Sequence, residues 1–411
     1  MKQLFVHCTR EWTQLALLED GRLAELSVEK TEAASLVGNL YKGRVVNVLP
    51  GMQAAFVDIG LSRNAFLYVD DALHHHLEKQ PKDKPSISEL LSPGDELIVQ
   101  VMKEPLGGKG ARVTTHYSLP GRWLVYMPDA DYVGISKKIE AEAERTRLRA
   151  LAEEIRGPEE GIILRTNAEG MSREAILSDL QSLRRTWEEA LKRGEAVRAP
   201  AELHRDSGLV QRMVRDIVTP DTEELIFDDE ARLEEGRAYL RAAAPELVGR
   251  VRLHRDSVPL FERFGIKEQI DRAFHPRVRL ASGGYLVWDQ TEALTVIDVN
   301  TGKYTGSVDL EETVFRTNLE AAEEIARLLR LRDVGGIIIV DFIDMEKEEH
   351  RTLVEQKLEA TMKRDRTKCQ VVGWTRLGLL EITRKKARES VSSFFWETCP
   401  TCKGRGKISL R

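Results

Sequence analysis

Two aspartates give the first chemical signal in the sequence. Asp298 sits near the far end of the apolar run ALTVIDV, and Asp341 near the far end of GIIIVDFI. Short continuous runs rich in Val and Ile read as strands buried on both faces. The segment between them reads as one long helix. Asp309 can cap its start, and Glu312 completes a capping box. Leu310, Val314, Ala321, Ile325 and Leu328 form an apolar stripe, and Gly335-Gly336 stop the helix. Strand, helix, strand in this order is a crossover unit whose strands run parallel in one sheet. Both aspartates then emerge at the same carboxyl edge, ~5 Å apart if the strands are neighbours. Carboxylates that close repel unless a proton or a cation sits between them. A hard cation with oxygen ligands, Mg²⁺ above all, fits such a pair. One Asp would merely end its strand. Two, each on an apolar strand and followed by Asn300 or Asp344, favour the metal.

Other residues could do chemistry. Cys399-x-x-Cys402, with Gly404 and Gly406 behind it, is a knuckle that supplies two of the four ligands of a structural Zn²⁺. Cys8 and Cys369 are poor partners for it, because each sits in a strand-like run that should be buried. A second copy of the knuckle from another chain would complete the site. In EEGIILRTNAEG, an apolar strand delivers Arg165 and Thr166 to a turn, where a guanidinium and a hydroxyl suit a phosphate; a turn arginine is also often just solvated. Phe56 and Phe66 are spaced as exposed rings on adjacent strands, with Lys103 and Lys109 on a Gly-rich loop nearby. Aromatic platforms beside cations hold single-stranded nucleic acid, and the alternative is that both rings are core. Arg376 stands where it could reach a metal-bound phosphate. His74, His75 and His76 are consecutive and cannot converge on a metal, so a solvated loop is expected there. LHRDS occurs twice, at Leu203 and Leu253, but no kinase glycine loop or DFG accompanies its HRD.

These residues need elements to position them. At 411 residues the chain should hold two to four domains. Hydrophobic residues make up 42% and charged residues 31%, as in a soluble globular protein. Nothing approaches the ~20 apolar residues of a membrane span, and the opening residues MKQLFVHCTREW do not carry the apolar stretch and cleavage site expected of a signal peptide. Four cysteines make no disulfide framework, so a reducing cytoplasm is expected. The net charge of −5 excludes a uniformly basic nucleic-acid binder, yet residues 384–411 carry eight Lys/Arg against two Glu. Any polyanion contact must be local. Residues 1–35 read as a hairpin-like piece too small to bury its own core. From Val37 to Ser118, five short strands with Gly-rich turns suit a small closed barrel of the OB type, interrupted by the polar insertion LHHHLEKQPKDKPSISELL. Residues 119–200 alternate strands with two charged helices and end in RGEAVRAPAELH, which reads as a linker. After the crossover unit, QVVGWTRLGLLEITRKK supplies a strand and a basic helix or arm.

Taken together these strings resemble the bacterial ribonuclease E/G family over nearly the whole chain. NLYKGRV and AAFVDIG look like its S1 domain, LRT like its 5′-phosphate sensor, TEALTVIDVN and LRLRDVGGIIIVDFIDM like its catalytic core, and CPTCKGRG like its zinc-link. The resemblance implies an α/β multidomain fold with an RNase H-like subdomain at residues 1–35 and 205–275. Into it are inserted an S1 (OB) barrel at 36–118 and a 5′-sensor at 119–204. A DNase I-like catalytic subdomain at 276–396 and a zinc-link at 397–411 follow. It implies a Mg²⁺-dependent endoribonuclease acting on single-stranded RNA, leaving a 5′-phosphate and a 3′-hydroxyl. Asp298 and Asp341 would hold Mg²⁺, with Asn300 orienting Asp298 and Asp344 and Arg376 in support. Arg165 and Thr166 would bind a 5′-monophosphate. Phe56, Phe66, Lys103 and Lys109 would hold RNA, and Cys399 and Cys402 would share Zn²⁺ with a second chain. Family members carry a further small domain and, in the E branch, a long scaffold. The sequence stops at Arg411, so the expectation is the G branch and a zinc-linked homodimer rather than a tetramer. The rival from another class is a non-catalytic S1-type RNA-binding protein; intact Asp298, Asn300 and Asp341 argue against it.

Overall fold

The computed structural model describes residues 1–30, 35–73, 85–105, 108–291, 293–302, 309–386, 391–397, 399–402 and 406. The insertion carrying His74–His76 lies largely outside the described residues. The chain forms two compact units: Met1–Thr31 with Pro220–Leu233 and Gly249–Arg411, and Glu32–Thr219 with Glu234–Val248. No helix among the described residues is long and apolar enough to cross a membrane.

In the first unit the N-terminal piece is a three-stranded meander, Lys2–Cys8, Trp12–Glu19 and Arg22–Lys30. It cannot bury its own face, and its partner comes from far along the chain. Lys2–Cys8 pairs in parallel with Thr222–Phe227, which pairs in parallel with Val251–Leu253. A second sheet of six strands has the order Arg277–Arg279, Tyr285–Gln290, Leu294–Asn300, Gly336–Asp341, Leu380–Arg384, Cys369–Trp374. Only Leu294–Asn300 and Gly336–Asp341 run parallel within it, because the helix Leu310–Leu331 connects them. That helix contributes Val314, Ala321, Ile325 and Leu328 to the core shared with Phe5, Leu23, Ile297, Ile338 and Val340.

The helix differs from expectation at both ends. The Asp309 side chain accepts the Glu312 N–H at 2.6 Å, but the Glu312 carboxylate turns to Arg316 instead of closing the box. Leu310 is 79% exposed, since the stripe has not yet met the core in the first turn. The helix ends at Leu331 with Arg332 as its cap; Asp333 takes the left-handed turn (φ 48°), and Gly336 already belongs to the next strand. The segment 369–384 is a hairpin of two strands rather than a strand and an arm. Buried Arg384 on that hairpin binds Asp365 at 2.8 Å, Asp333 at 2.6 Å and the Val334 carbonyl at 3.0 Å. Its hydrogen bonds to two carboxylates and a carbonyl offset the cost of burying a guanidinium.

In the second unit, strands Leu40–Leu49, Ala54–Asp58, Ala65–Tyr68, Arg112–Thr114 and Glu96–Lys103 close on themselves through pairing of the first with the last. This is the five-stranded OB-like barrel expected, around Val45, Val57, Leu67, Val99 and Val113. Residues 193–204 are not a linker. The helix Arg173–Ala196 takes in the first four of them, and Ala201–His204 adds a strand to the barrel sheet beside Leu40–Leu49. A four-stranded sheet, Val133–Ile135, Gly161–Leu164, Leu124–Met127 and Leu119–Pro120, packs with helices Glu142–Ile155 and Arg173–Ala196 around a separate core.

Candidate active site

Asp298 and Asp341 are direct neighbours, paired in register across the two parallel strands. Their side chains fall on one face by strand alternation. Thr295, Ile297 and Val299 point into the core, as do Ile338 and Val340; Asp298, Asn300 and Asp341 take the other face. That face also carries half-buried Leu294, Val296 and Ile339 and exposed Ile337. The strands are therefore buried on one face and not on two. Their continuous apolar sequence hid this, because the open face beside the aspartates is itself aliphatic.

The Asn300 amide donates to one Asp298 oxygen at 2.8 Å and fixes that carboxylate. Burial pushes the Asp341 carboxyl above its ordinary range, and the Asp298 and Asp344 charges push it further the same way. Like charges held together by the backbone are the condition a bound cation relieves. Among the described residues no three His, Cys, Asp or Glu side chains are grouped to hold a metal. The edge therefore offers a pair. This fits Mg²⁺, which keeps several waters and takes one or two carboxylates. Val340 and Trp374 both pair with Leu380, so the hairpin turn carrying exposed Arg376 lies at the same end of the sheet.

On the barrel, register lines up a row across four strands. Phe56 pairs with Phe66, Phe66 with Arg112, and Arg112 with Lys103. The two rings meet edge to face, centroids 6.0 Å apart, and both are half-buried while the core lies on the opposite face. Lys103 ends a strand rather than lying on a loop; Lys109 forms a bridge in the connection to Arg112–Thr114, and both are exposed. The sequence reading missed Arg112, whose guanidinium is held by Asp71 at 2.7 Å. Its only sequence signal is a cation in a β-rich run.

Arg165 follows the strand Gly161–Leu164 as expected, but it is not free in the turn. Its guanidinium donates to the Gly121 carbonyl at 2.6 Å and pairs with Asp216 at 2.6 Å. Asp216 is also gripped by Arg215, 3.1 Å away. Burial pushes the Asp216 carboxyl up, but Arg215 and Arg165 outweigh it and hold it below the ordinary range. The exposed Thr166 hydroxyl bonds Ser136 at 2.9 Å. Asp179 accepts the Trp123 N–H at 2.8 Å and lies against Gly121, where any side chain would strike it. None of Gly121, Asp179, Asp216 or Ser136 was singled out from the sequence, since their convergence is long-range.

At the knuckle, Cys399 is exposed and Cys402 half-exposed, and all four cysteines are free thiols. The amides of Cys402 and Thr401 lower the Cys399 pKa. Backbone amides do approach the sulfur; Gly404 lies outside the described residues. Stabilised thiolates suit Zn²⁺, and the pair is half a tetrahedral set. Cys8 and Cys369 are pushed the other way by burial, to about 11 and about 12.

The model of a family described as the ribonuclease E/G family matches residues 118–387. Ribonuclease G of Haemophilus influenzae is 44% identical over 412 residues, covering 99% of this chain and 84% of its own length. Ribonuclease G of Escherichia coli is 42% identical over 411 residues, with the same coverage. Ribonuclease E of a Nostoc species is 43% identical over 374 residues, covering 90% of this chain and 54% of its own length.

Proposed function

The chain belongs to the ribonuclease E/G family, and on that premise we propose a Mg²⁺-dependent endoribonuclease that cuts single-stranded RNA and favours a 5′-monophosphorylated end. Endoribonuclease activity in RNA processing is what the family and the relatives support directly. Ribosomal RNA maturation and messenger turnover are the roles proposed. The observation that carries the finer reading is the in-register pair of Asp298 and Asp341 on the open face of the sheet.

Asp298 and Asp341 would hold the ion. When bound, Mg²⁺ polarises the scissile phosphate and lowers the pKa of a coordinated water. The chain's own residues prepare that edge. Asn300 donates its amide to Asp298 and orients that carboxylate. Asp344 adds negative charge beside Asp341. Arg376, in the exposed turn, is available to the phosphate anion. Phe56 and Phe66 offer ring faces to unstacked bases, flanked in register by Arg112 and Lys103, with Lys109 in the adjoining connection. Arg165, oriented by Asp216 and the Gly121 carbonyl, keeps further N–H donors for a terminal phosphate, with Thr166 and Ser136 hydroxyls beside it. Cys399 and Cys402 would share one Zn²⁺ with the same pair of a second copy, making a two-fold homodimer.

The test is cleavage of a short 5′-phosphorylated RNA with and without Mg²⁺. Asp298→Asn and Asp341→Asn are each expected to abolish cleavage and leave RNA binding largely intact. Near-normal cleavage by either variant at saturating Mg²⁺ rejects the metal assignment. RNA binding without cleavage by the unaltered chain favours a non-catalytic RNA-binding protein.

A further inference from the structure

The strand that ends at Asp341 loses its ladder there. Phe342–Lys347 has no regular secondary structure, yet it carries Asp344 beside the candidate metal edge. Something else must fix it. The side chain of Asn318, fully buried on the helix Leu310–Leu331, meets this segment between the two aspartates. Its amide donates to the Ile343 carbonyl at 2.8 Å, and its oxygen accepts the Ile343 N–H at 3.1 Å. A carboxamide has both a donor and an acceptor, so it pairs with a peptide unit as a neighbouring strand would. Phe342 and Met345, on either side, are buried and anchor the same stretch.

Two further residues of the helix continue the grip. Glu311 accepts the N–H of Glu346 at 3.0 Å and of Lys347 at 3.3 Å. Glu311 also binds His350 at 2.6 Å, and the His350 ring stacks on Phe315 with centroids 4.1 Å apart. Glu311, Phe315 and Asn318 stand at i, i+4 and i+7, one face of the helix. The helix thus does two jobs: one face fills the core, and these residues hold the segment that leaves the site.

We propose that Asn318 is a positioning residue of the active site. By pairing with both backbone groups of Ile343 it fixes the spacing of Asp341 and Asp344, with Glu311 closing the far end of the brace. The backbone is then preorganised to receive a divalent cation. A buried leucine of similar size would fill the space but leave the Ile343 peptide unpaired. This rests on the Mg²⁺ reading of the Asp298–Asp341 edge.

The experiment uses the full chain and Mn²⁺ as the probe, its binding followed by electron paramagnetic resonance without RNA. The relevant sites are those lost in Asp298→Asn. Asn318→Leu is expected to weaken Mn²⁺ binding about tenfold, as losses of outer-shell support do. It should raise the Mg²⁺ concentration for half-maximal cleavage by a similar factor, and leave RNA affinity in EDTA within about twofold. Unchanged Mn²⁺ affinity in folded Asn318→Leu overturns the proposal. If that variant does not fold, Glu311→Gln at the accessible end of the brace decides: a smaller loss in the same direction supports the proposal, and no loss overturns it. An unaltered chain that binds no Mn²⁺ at this edge overturns the Mg²⁺ reading, and the brace with it.

Discussion

Removing the barrel rings separates an RNA platform from a second hydrophobic core. Phe56 and Phe66 face each other across neighbouring strands at 6.0 Å and 71°, on the side of the sheet away from Val57 and Leu67. Each ring is half-buried in the free chain, so part of its face is open to a base. A base stacked on an aromatic side chain is worth about 1–3 kcal/mol. At about 2 kcal/mol, Phe66→Ala weakens single-stranded RNA about 30-fold, since 1.4 kcal/mol is tenfold. Truncation also breaks an edge-to-face pair worth about 0.5–1.5 kcal/mol to the fold. The double variant should fall short of the sum in stability, because either single change already breaks that contact. Fluorescence anisotropy with a labelled oligoribonucleotide in EDTA gives the affinity without turnover; thermal unfolding of the same samples gives stability. Affinity unchanged in folded Phe56→Ala and Phe66→Ala, together with several kcal/mol of lost stability, would falsify the platform and leave two core phenylalanines.

Three other outcomes are expected. Arg165→Ala should erase the advantage of a 5′-monophosphate over a 5′-hydroxyl while sparing basal cleavage; an unchanged ratio excludes Arg165 from the sensor. Cys399→Ser with Cys402→Ser should remove one zinc per two chains and shift the protein toward monomer, and a zinc-free dimer by metal analysis and light scattering defeats the shared site. Asp365→Asn should cost about 1.5–3 kcal/mol at neutral pH, because buried Arg384 keeps Asp333 and the Val334 carbonyl but loses one of its two carboxylates. Burial pushes the Asp365 carboxyl up, but Arg384 outweighs it and the net shift is downward. Its folded pKa therefore lies below the unfolded one. The stabilisation is complete above about pH 4, the ordinary carboxylate value, and is lost as pH falls through the folded pKa. Urea titrations at neutral and acid pH should show the gap between the two chains closing; a gap independent of pH rejects the ion pair as its source.

Local sequence determined much of this protein. The capped helix between two Val/Ile strands requires a parallel pair, and that alone brings Asp298 and Asp341 to one edge. Gly-rich turns at hairpin spacing make a small barrel, and the Cys399–Cys402 spacing makes a knuckle. These are readable because each rests on contacts close in the chain. What only the tertiary structure decided depends on partners far apart. Whether the aspartate strands are covered on one face or two is set by what packs on the sheet, and the continuous apolar pattern is the same for both. Arg165 meets Asp216 and Gly121, Arg112 falls in line between Phe66 and Lys103, and Asn318 reaches Ile343, each across a sequence separation that no local periodicity encodes. Side-chain hydrogen bonds of this kind follow from where helices and strands come to rest. The sequence supplied the groups, and packing within each core chose which of them meet.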